Sequence, residues 1–319
     1  MNEEEKRKTE DERLKTKDAK ENRALGHTHH VLHIMISSHD TPIPRSRRLV
    51  VRGVTLHYFD WGLPENPPLL FIHGGSAHAH WWDHIAAALA QDYRVFALDS
   101  RGHGDSDWVT PPAYEIGDYV SDIADFVTQL GLSKFMLVGH SLGGLIATTY
   151  AITHGERLAA LVIVDMGPRI RQSRRMQLLS RVPAPIFATE EDLVSRFRLL
   201  PEETWAAPEL LHHIARHSAR PLPDGRLTLK VDRATFVRQP HDVSLELARI
   251  MCPTLLIRGG ESKTLALETV QEMETQCPRV RTVAIPGAGH HVFLDKPEAF
   301  LEAVRQFLHE HTEGVACKT

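Results

Sequence analysis

Residues 135–144 read Phe135-Met136-Leu137-Val138-Gly139-His140-Ser141-Leu142-Gly143-Gly144. The first four form a short, unbroken apolar run, the pattern of a strand buried on both faces. The segment that follows, LGGLIATTYAIT at 142–153, spaces its apolar residues as a helix does. Between the two stands a serine in a G-x-S-x-G turn. A strand that ends where a helix at once begins leaves that hydroxyl on a sharp turn, exposed at the end of a sheet. A serine hydroxyl is a poor nucleophile unless it is held exposed beside a base, so this context is what makes Ser141 a candidate nucleophile. Small residues at 139 and 143 avoid a clash with the neighbouring strand. The same turn aims the backbone N–H of Leu142 and the helix N-terminus at a developing oxyanion.

The alternation continues outward from this turn. Apolar runs at 69–72, 94–98, 161–164, 255–257 and 280–285 end respectively at His73-Gly74-Gly75, at Asp99, at Asp165, before Gly259 and at Pro286-Gly287. Residues 48–52 and 55–61, joined at Gly53, mix apolar and polar side chains as exposed strands do. Helical patterns lie at 78–90, 118–130, 142–153 and 297–309, with Asp118 and Pro297 as helix-start residues. This order predicts an α/β fold, a mostly parallel central sheet with helices on both faces. Residues 166–253 interrupt the rhythm with several prolines and arginines and helical patterns at 173–182, 189–199 and 208–218. That interval is too long for one crossover. It reads as a helical cap inserted over the carboxyl edge of the sheet, where open α/β sheets bind ligands. The expected organisation is a charged N-terminal segment over 1–45, a core formed by 46–168 and 250–312, and a cap over 169–249.

Composition narrows the function. A formal net charge of −4 and a pI near 6.6 give no basic field for nucleic acid. Three widely spaced cysteines, Cys252, Cys277 and Cys317, argue against a disulfide framework or a thiolate zinc site and fit a reducing compartment. No apolar run reaches the roughly 18 residues that span a bilayer. The start, MNEEEKRKTEDERLKTKDAKEN, is densely charged and lacks the apolar stretch of a secretory signal. A cytoplasmic location is expected. His27, His29, His30 and His33 could capture a metal adventitiously, but the stretch reads as a loose lead-in.

The remaining chemistry is placed by the same logic. A second oxyanion donor belongs on the loop after the 69–72 strand, with Gly75 N–H the first choice because glycine admits close approach to a ligand. The base belongs on a late loop. Gly287-Ala288-Gly289-His290-His291 supplies it, with His290 the choice and His291 the alternative. An imidazole titrates near neutrality and can take and return one proton.

Four stretches together, His73-Gly74-Gly75, 99–107 (DSRGHGDSD), 139–144 (GHSLGG) and 287–290 (GAGH), identify the chain as resembling the α/β-hydrolase superfamily over about 48–309. The resemblance implies a triad ordered Ser, acid, His, with the 101–107 loop as a buttress. In the family the acid usually follows the strand after the cap, often as G-x-x-D. Here that stretch is Arg258-Gly259-Gly260-Glu261-Ser262-Lys263, and the acid position holds Ser262. Two carboxylates remain open, Glu261 and Asp165. Asp165 is favoured because it sits directly at a strand's carboxyl end and its shorter side chain loses less rotamer freedom.

Other classes fit less well. His78-Ala79-His80-Trp81-Trp82-Asp83-His84 resembles the H-x-H-x-D-H run of metallo-β-lactamase-type hydrolases, but carries one residue too many and lies in a helical pattern. Trp81 and Trp82 are expected to wall an acyl pocket or pack under the cap. Serine at the nucleophile position argues against the aspartate-nucleophile dehalogenases and epoxide hydrolases. Hydrolysis of another acyl bond (a lactone, a thioester or a carbon–carbon bond) and a non-catalytic ligand-binding or signalling role remain the alternatives. The expectation is a carboxylic ester hydrolase with no cofactor and no metal, acting on a small acyl substrate through Ser141, His290 and Asp165. Gly75 and Leu142 N–H groups would form the oxyanion hole. Leu199, Leu200, Phe187, Phe197 and Trp205 in the cap suggest a medium apolar acyl or aryl group.

Overall fold

A computed structural model describes residues 43–312; the charged and histidine-rich lead-in up to residue 42, and Cys317, lie outside the described residues. Eight strands form one sheet: β1 (Arg45–Val51), β2 (Val54–Trp61), β3 (Pro68–Ile72), β4 (Arg94–Leu98), β5 (Phe135–His140), β6 (Leu158–Val164), β7 (Thr254–Gly259) and β8 (Val280–Ile285). Their spatial order is β1-β2-β4-β3-β5-β6-β7-β8. β2 runs antiparallel to both neighbours, and every other pairing from β4 to β8 is parallel. The direction of winding reverses between β3 and β5. Loops leaving those two strands therefore splay apart and open a crevice at the carboxyl edge.

Two strands depart from the expected exposure. β2 is buried along nearly its whole length, although its pattern reads as an exposed strand. Its polar residues are paired inside: Asp60 with Arg47 and Arg94, and His57 with Asp99. Buried polar pairs thus mimic a solvent-facing pattern. Conversely β8, an apolar run by sequence, is an edge strand and half-exposed.

Helices follow the expected places with local differences. Residues 78–90 divide into a single 3-10 turn, Ala79–Trp82, and α1 (Asp83–Leu89). α2 (Ile116–Gln129) begins before Asp118: Glu115 is the N-cap, and Asp118 closes a capping box back onto the Glu115 backbone. α3 (Leu142–His154) is buried almost all round. In the interval after β6 come α4 (Arg174–Arg181), α5 (Glu190–Arg196) and α6 (Pro208–His217). The closing elements are α7 (Leu267–Gln276), α8 (Val292–Asp295) and α9 (Pro297–His309), with Pro297 in the first turn of α9. α7 has no counterpart in the sequence reading; it buries only Val270 and Met273, too sparse a stripe to stand out.

The interval between β6 and β7 is not wholly helical. It also holds an antiparallel hairpin, 219–221 with 227–229, and its entry and exit pair with each other through Ile170–His241 and Arg169–Asp242. A cluster around Phe187, Leu193 and Ala215 gives it a small core of its own. It docks on the 101–107 loop through Gly104 N–H to the Lys230 carbonyl and Asp232 N–H to the Gly102 carbonyl. No described helix is long and apolar enough to cross a membrane.

Candidate active site

Ser141 stands between β5 and α3 with φ 53° and ψ −122°, a region L-residues seldom adopt. Space requires the flanking glycines. A Cβ at Gly139 would lie 2.2 Å from the Gly143 carbonyl oxygen, and one at Gly143 would lie 2.4 Å from the Ile72 carbonyl oxygen. The turn can close only because both positions lack side chains, and its closure pushes the hydroxyl outward.

Ser141 Oγ lies 2.9 Å from His290 Nε2, and His290 Nδ1 lies 2.7 Å from Asp165 Oδ2. A carboxylate only accepts, so Nδ1 carries the imidazole proton and Nε2 is left to accept from the serine. Asp165 is fully buried at the end of β6, with φ 49°. Its Oδ1 accepts from Gly259 N–H at 3.0 Å, and its Oδ2 also accepts from Ser262 Oγ–H. Glu261, the other carboxylate left open by the sequence, is exposed, and no hydrogen bond joins its side chain to His290. β6 and β7 are paired in parallel with Val164 opposite Ile257, which brings the chain after β7 alongside Asp165.

His291, the alternative base, points elsewhere: its Nε2 donates to the Pro201 carbonyl at 2.8 Å. Burial pushes its pKa down to about 4. His140 is likewise held well below its ordinary value by burial, then by the neighbouring imidazoles, and its Nε2 donates to the His290 carbonyl at 3.0 Å. His290 is thus flanked by two neutral rings that tie its backbone and the following residue in place.

Three supports were not anticipated from sequence. Asp295 accepts from Gly289 N–H at 2.8 Å and from Trp205 N–H at 2.7 Å, joining the His290 loop to the interval before β7. Arg258, buried and without a carboxylate partner among the described residues, donates to the carbonyls of Leu265, Gly259, Gly260 and Ser262 at 2.8–2.9 Å and so ties down the loop that carries Ser262. In the 99–107 loop, burial favours a neutral Asp99 but is outweighed by His57, which donates to it at 2.7 Å, and its pKa is lowered. Asp99 also accepts from Ala79 and Asp105 N–H groups, so it fastens the loop after β3. The Asp295–Trp205, Asp99–His57 and Asp99–Ala79 contacts join residues remote in sequence, and the Arg258 contacts are local but follow no motif that marks them.

Gly75, Ser141 and Leu142 line one cavity of about 360 Å³, together with Met166, Gly167, Ile170, Met176, Leu200 and three arginines. Leu142 N–H lies in the first turn of α3, where backbone donors have no intrahelical acceptor. The glycine argument for position 75 is weaker than expected: a Cβ there would meet only the Leu142 side chain, at 3.8 Å. Gly74 is the tighter place, where a Cβ would come within 3.2 Å of Ser141 Cβ. His73 shapes this turn, with Nδ1–H on the Gly74 carbonyl and Nε2 accepting from Ser100 N–H.

Of the five apolar residues expected around the substrate, Leu200 lines this cavity, while Leu199 and Phe197 line a second one of about 110 Å³ with Trp81. Phe187 is buried in the insertion's own core, and Trp205 is largely exposed beside Gly289. Trp82 stacks on Phe293 at 4.0 Å in the core. The 78–84 histidines do not converge: His78 Nε2 meets Ser218 Oγ, and His84 Nε2 donates to the Phe293 carbonyl. His80, His213 and His217 do gather, with ligand nitrogens within 4.8 Å of one another and Asp83 Oδ2 accepting from His80 and His213. None of these three lines the Ser141 cavity.

Comparison with known proteins agrees with this architecture. A sequence profile described as the α/β hydrolase fold matches residues 67–297. The 2-(acetamidomethylene)succinate hydrolase of Mesorhizobium japonicum is 28% identical over 273 residues, covering 82% of this chain and 95% of that protein. An esterase of Mycobacterium tuberculosis is 28% identical over 274 residues, covering 84% of this chain and 90% of that protein. Among solved structures, the thioesterase domain from the curacin biosynthetic pathway superposes with a TM-score of 0.72 at 26% identity, covering 82% of this chain and 99% of the domain. The profile spans well over half of the residues and these relatives are hydrolases, so the chain belongs to the α/β-hydrolase fold family.

Proposed function

We propose that the protein is a cofactor-independent serine hydrolase that cleaves carboxylic esters through an acyl-enzyme. The observation that carries this reading is the unbroken hydrogen-bonded chain Ser141 Oγ–His290 Nε2 and His290 Nδ1–Asp165, set at the mouth of a substrate-sized cavity. Ser141 attacks the acyl carbonyl while His290 takes its proton and passes it to the leaving alcohol. Asp165 holds the imidazole tautomer and stabilises the imidazolium. Leu142 and Gly75 N–H groups receive the oxyanion. Water then enters, His290 acts as base again, and the acid product leaves. Residues 169–249 serve as the cap that shapes the acyl site.

Esterase relatives support the ester assignment, and the thioesterase neighbour makes thioesters the second substrate class to test. The test is hydrolysis of p-nitrophenyl esters from acetyl to dodecanoyl, with acyl thioesters in parallel, wild type beside Ser141→Ala. Turnover that falls by several orders of magnitude in Ser141→Ala is expected. Retained turnover in that variant, or failure of a fluorophosphonate probe to label wild-type Ser141, overturns the reading.

A further inference from the structure

The cavity at Ser141 is lined by Arg169, Arg171 and Arg238, and by no acidic residue. These arginines are not equivalent. Arg169 is paired with Glu272. Arg171 is exposed, where water screens its charge. Arg238 is partly buried, and among the described residues no carboxylate stands within ion-pair distance of its guanidinium. Its one side-chain hydrogen bond is to the Thr235 carbonyl, its Nε is buried with no partner, and the nearby Tyr119 hydroxyl has none either. Burial pulls its pKa down, with Tyr119 and Glu115 opposing. Glu115 is occupied by Gln239 N–H and the α2 capping box.

A desolvated charge without a counter-charge is unfavourable and persists only where something else compensates it. The rest of the wall is mostly apolar and includes Leu142, Met166, Ile170 and Leu265. We propose that Arg238 is a carboxylate-binding subsite of the Ser141 cavity, so that the preferred acyl group is short and carries a free carboxylate at the end away from the scissile bond. What that carboxylate is attached to rests on the hydrolase reading above; the anion site itself does not. A single guanidinium fork matches a planar carboxylate with two parallel hydrogen bonds. With a single partly buried, unpaired guanidinium in the wall among the described residues, a monoanion fits better than a dianionic phosphate.

Two measurements separate the subsite from the hydrolase reading. Calorimetric titration of the full chain with glutarate reads the anion site without catalysis. Wild type is expected to bind, and Arg238→Gln to bind at least about 10-fold more weakly, as for loss of a charged hydrogen bond. Equal binding by the two proteins, no binding by wild type, or inorganic phosphate binding as tightly as glutarate overturns the proposal, whatever the esters do. In kinetics, kcat/KM for 4-nitrophenyl hydrogen glutarate is divided by that for its neutral methyl-capped analogue. The ratio is expected to exceed 10 in wild type and to fall roughly 10- to 100-fold in Arg238→Gln, chiefly through KM. Arg238→Lys should recover part of it. A ratio unmoved by Arg238→Gln overturns the proposal. A merely structural arginine would destabilise the fold when removed, whereas loss of this uncompensated charge should leave Tm unchanged or raised.

Discussion

Ser262 donates its hydroxyl to Asp165 at 2.5 Å across the paired ends of β7 and β6, and it does so from the position where family members usually carry the acid itself. A polar contact thus joins these two strand ends, with the carboxylate on the residue after β6. A Ser262→Asp variant would force a second carboxylate against a fully buried one, and like charges at that range cannot both ionise. We predict that Ser262→Asp alone loses activity by at least about 100-fold, whereas the exchanged pair Asp165→Ser with Ser262→Asp regains part of it. Matched kcat/KM values on one ester decide this, and an exchanged pair no better than either single variant would contradict it.

Asp165 and Glu261 should separate cleanly in kinetics. Asp165→Asn leaves His290 Nδ1 facing an amide and is expected to lower kcat by about 10³–10⁴, the range found when a triad acid loses its charge. Glu261→Gln touches an exposed side chain with no bond to His290, and less than a twofold change is expected.

Backbone crowding at the serine turn predicts a stability effect without any charge. Gly143→Ala sets a methyl group against the Ile72 carbonyl of β3, where neither backbone can yield without moving the turn. A loss of more than about 4 kcal/mol or failure to fold is expected. Gly155→Ala, whose Cβ would meet nothing within 4 Å, is the matched control. Denaturant midpoints of the two variants make the comparison.

Acid should destabilise the fold before it titrates the carboxylates. His73, His78, His84, His103, His140 and His291 are buried and all have pKa values lowered by burial, His291 to about 4 and His103 to about 3. Unfolded, each binds a proton below about pH 6.5; folded, His291 and His103 stay neutral down to pH 4 or 3. In that window the unfolded state holds more protons, so stability falls as pH drops, by on the order of 1 kcal/mol per pH unit for each such histidine. Asp99, lowered in the folded state, adds to the loss only below its unfolded value near 3.8. Calorimetric Tm should therefore decline steeply from pH 6.5 to 4, and His291→Gln, which can still donate to the Pro201 carbonyl, should flatten that slope. An unchanged slope would remove His291 from the set.

The local sequence determined the parts of this protein that depend on nearest neighbours along the chain. The strand–turn–helix around Ser141, the Gly-x-Gly-His turn and the short apolar runs of the parallel strands are each written within about ten residues, because backbone conformation and two-sided burial act at that range. Tertiary structure decided the parts that depend on partners far away. Asp165, which the sequence already favours over Glu261, meets Gly259 because sheet order places the ends of β6 and β7 side by side, ninety-four residues apart in sequence at that bond. β2 looked exposed because Asp60 and His57 meet their polar partners only after folding. Nothing in the local sequence marks Arg238; folding places it on the Ser141 cavity, where no carboxylate among the described residues pairs with it. Whether a charge is solvated, paired or stranded is set by what surrounds it in space, and periodicity along the chain carries no record of that.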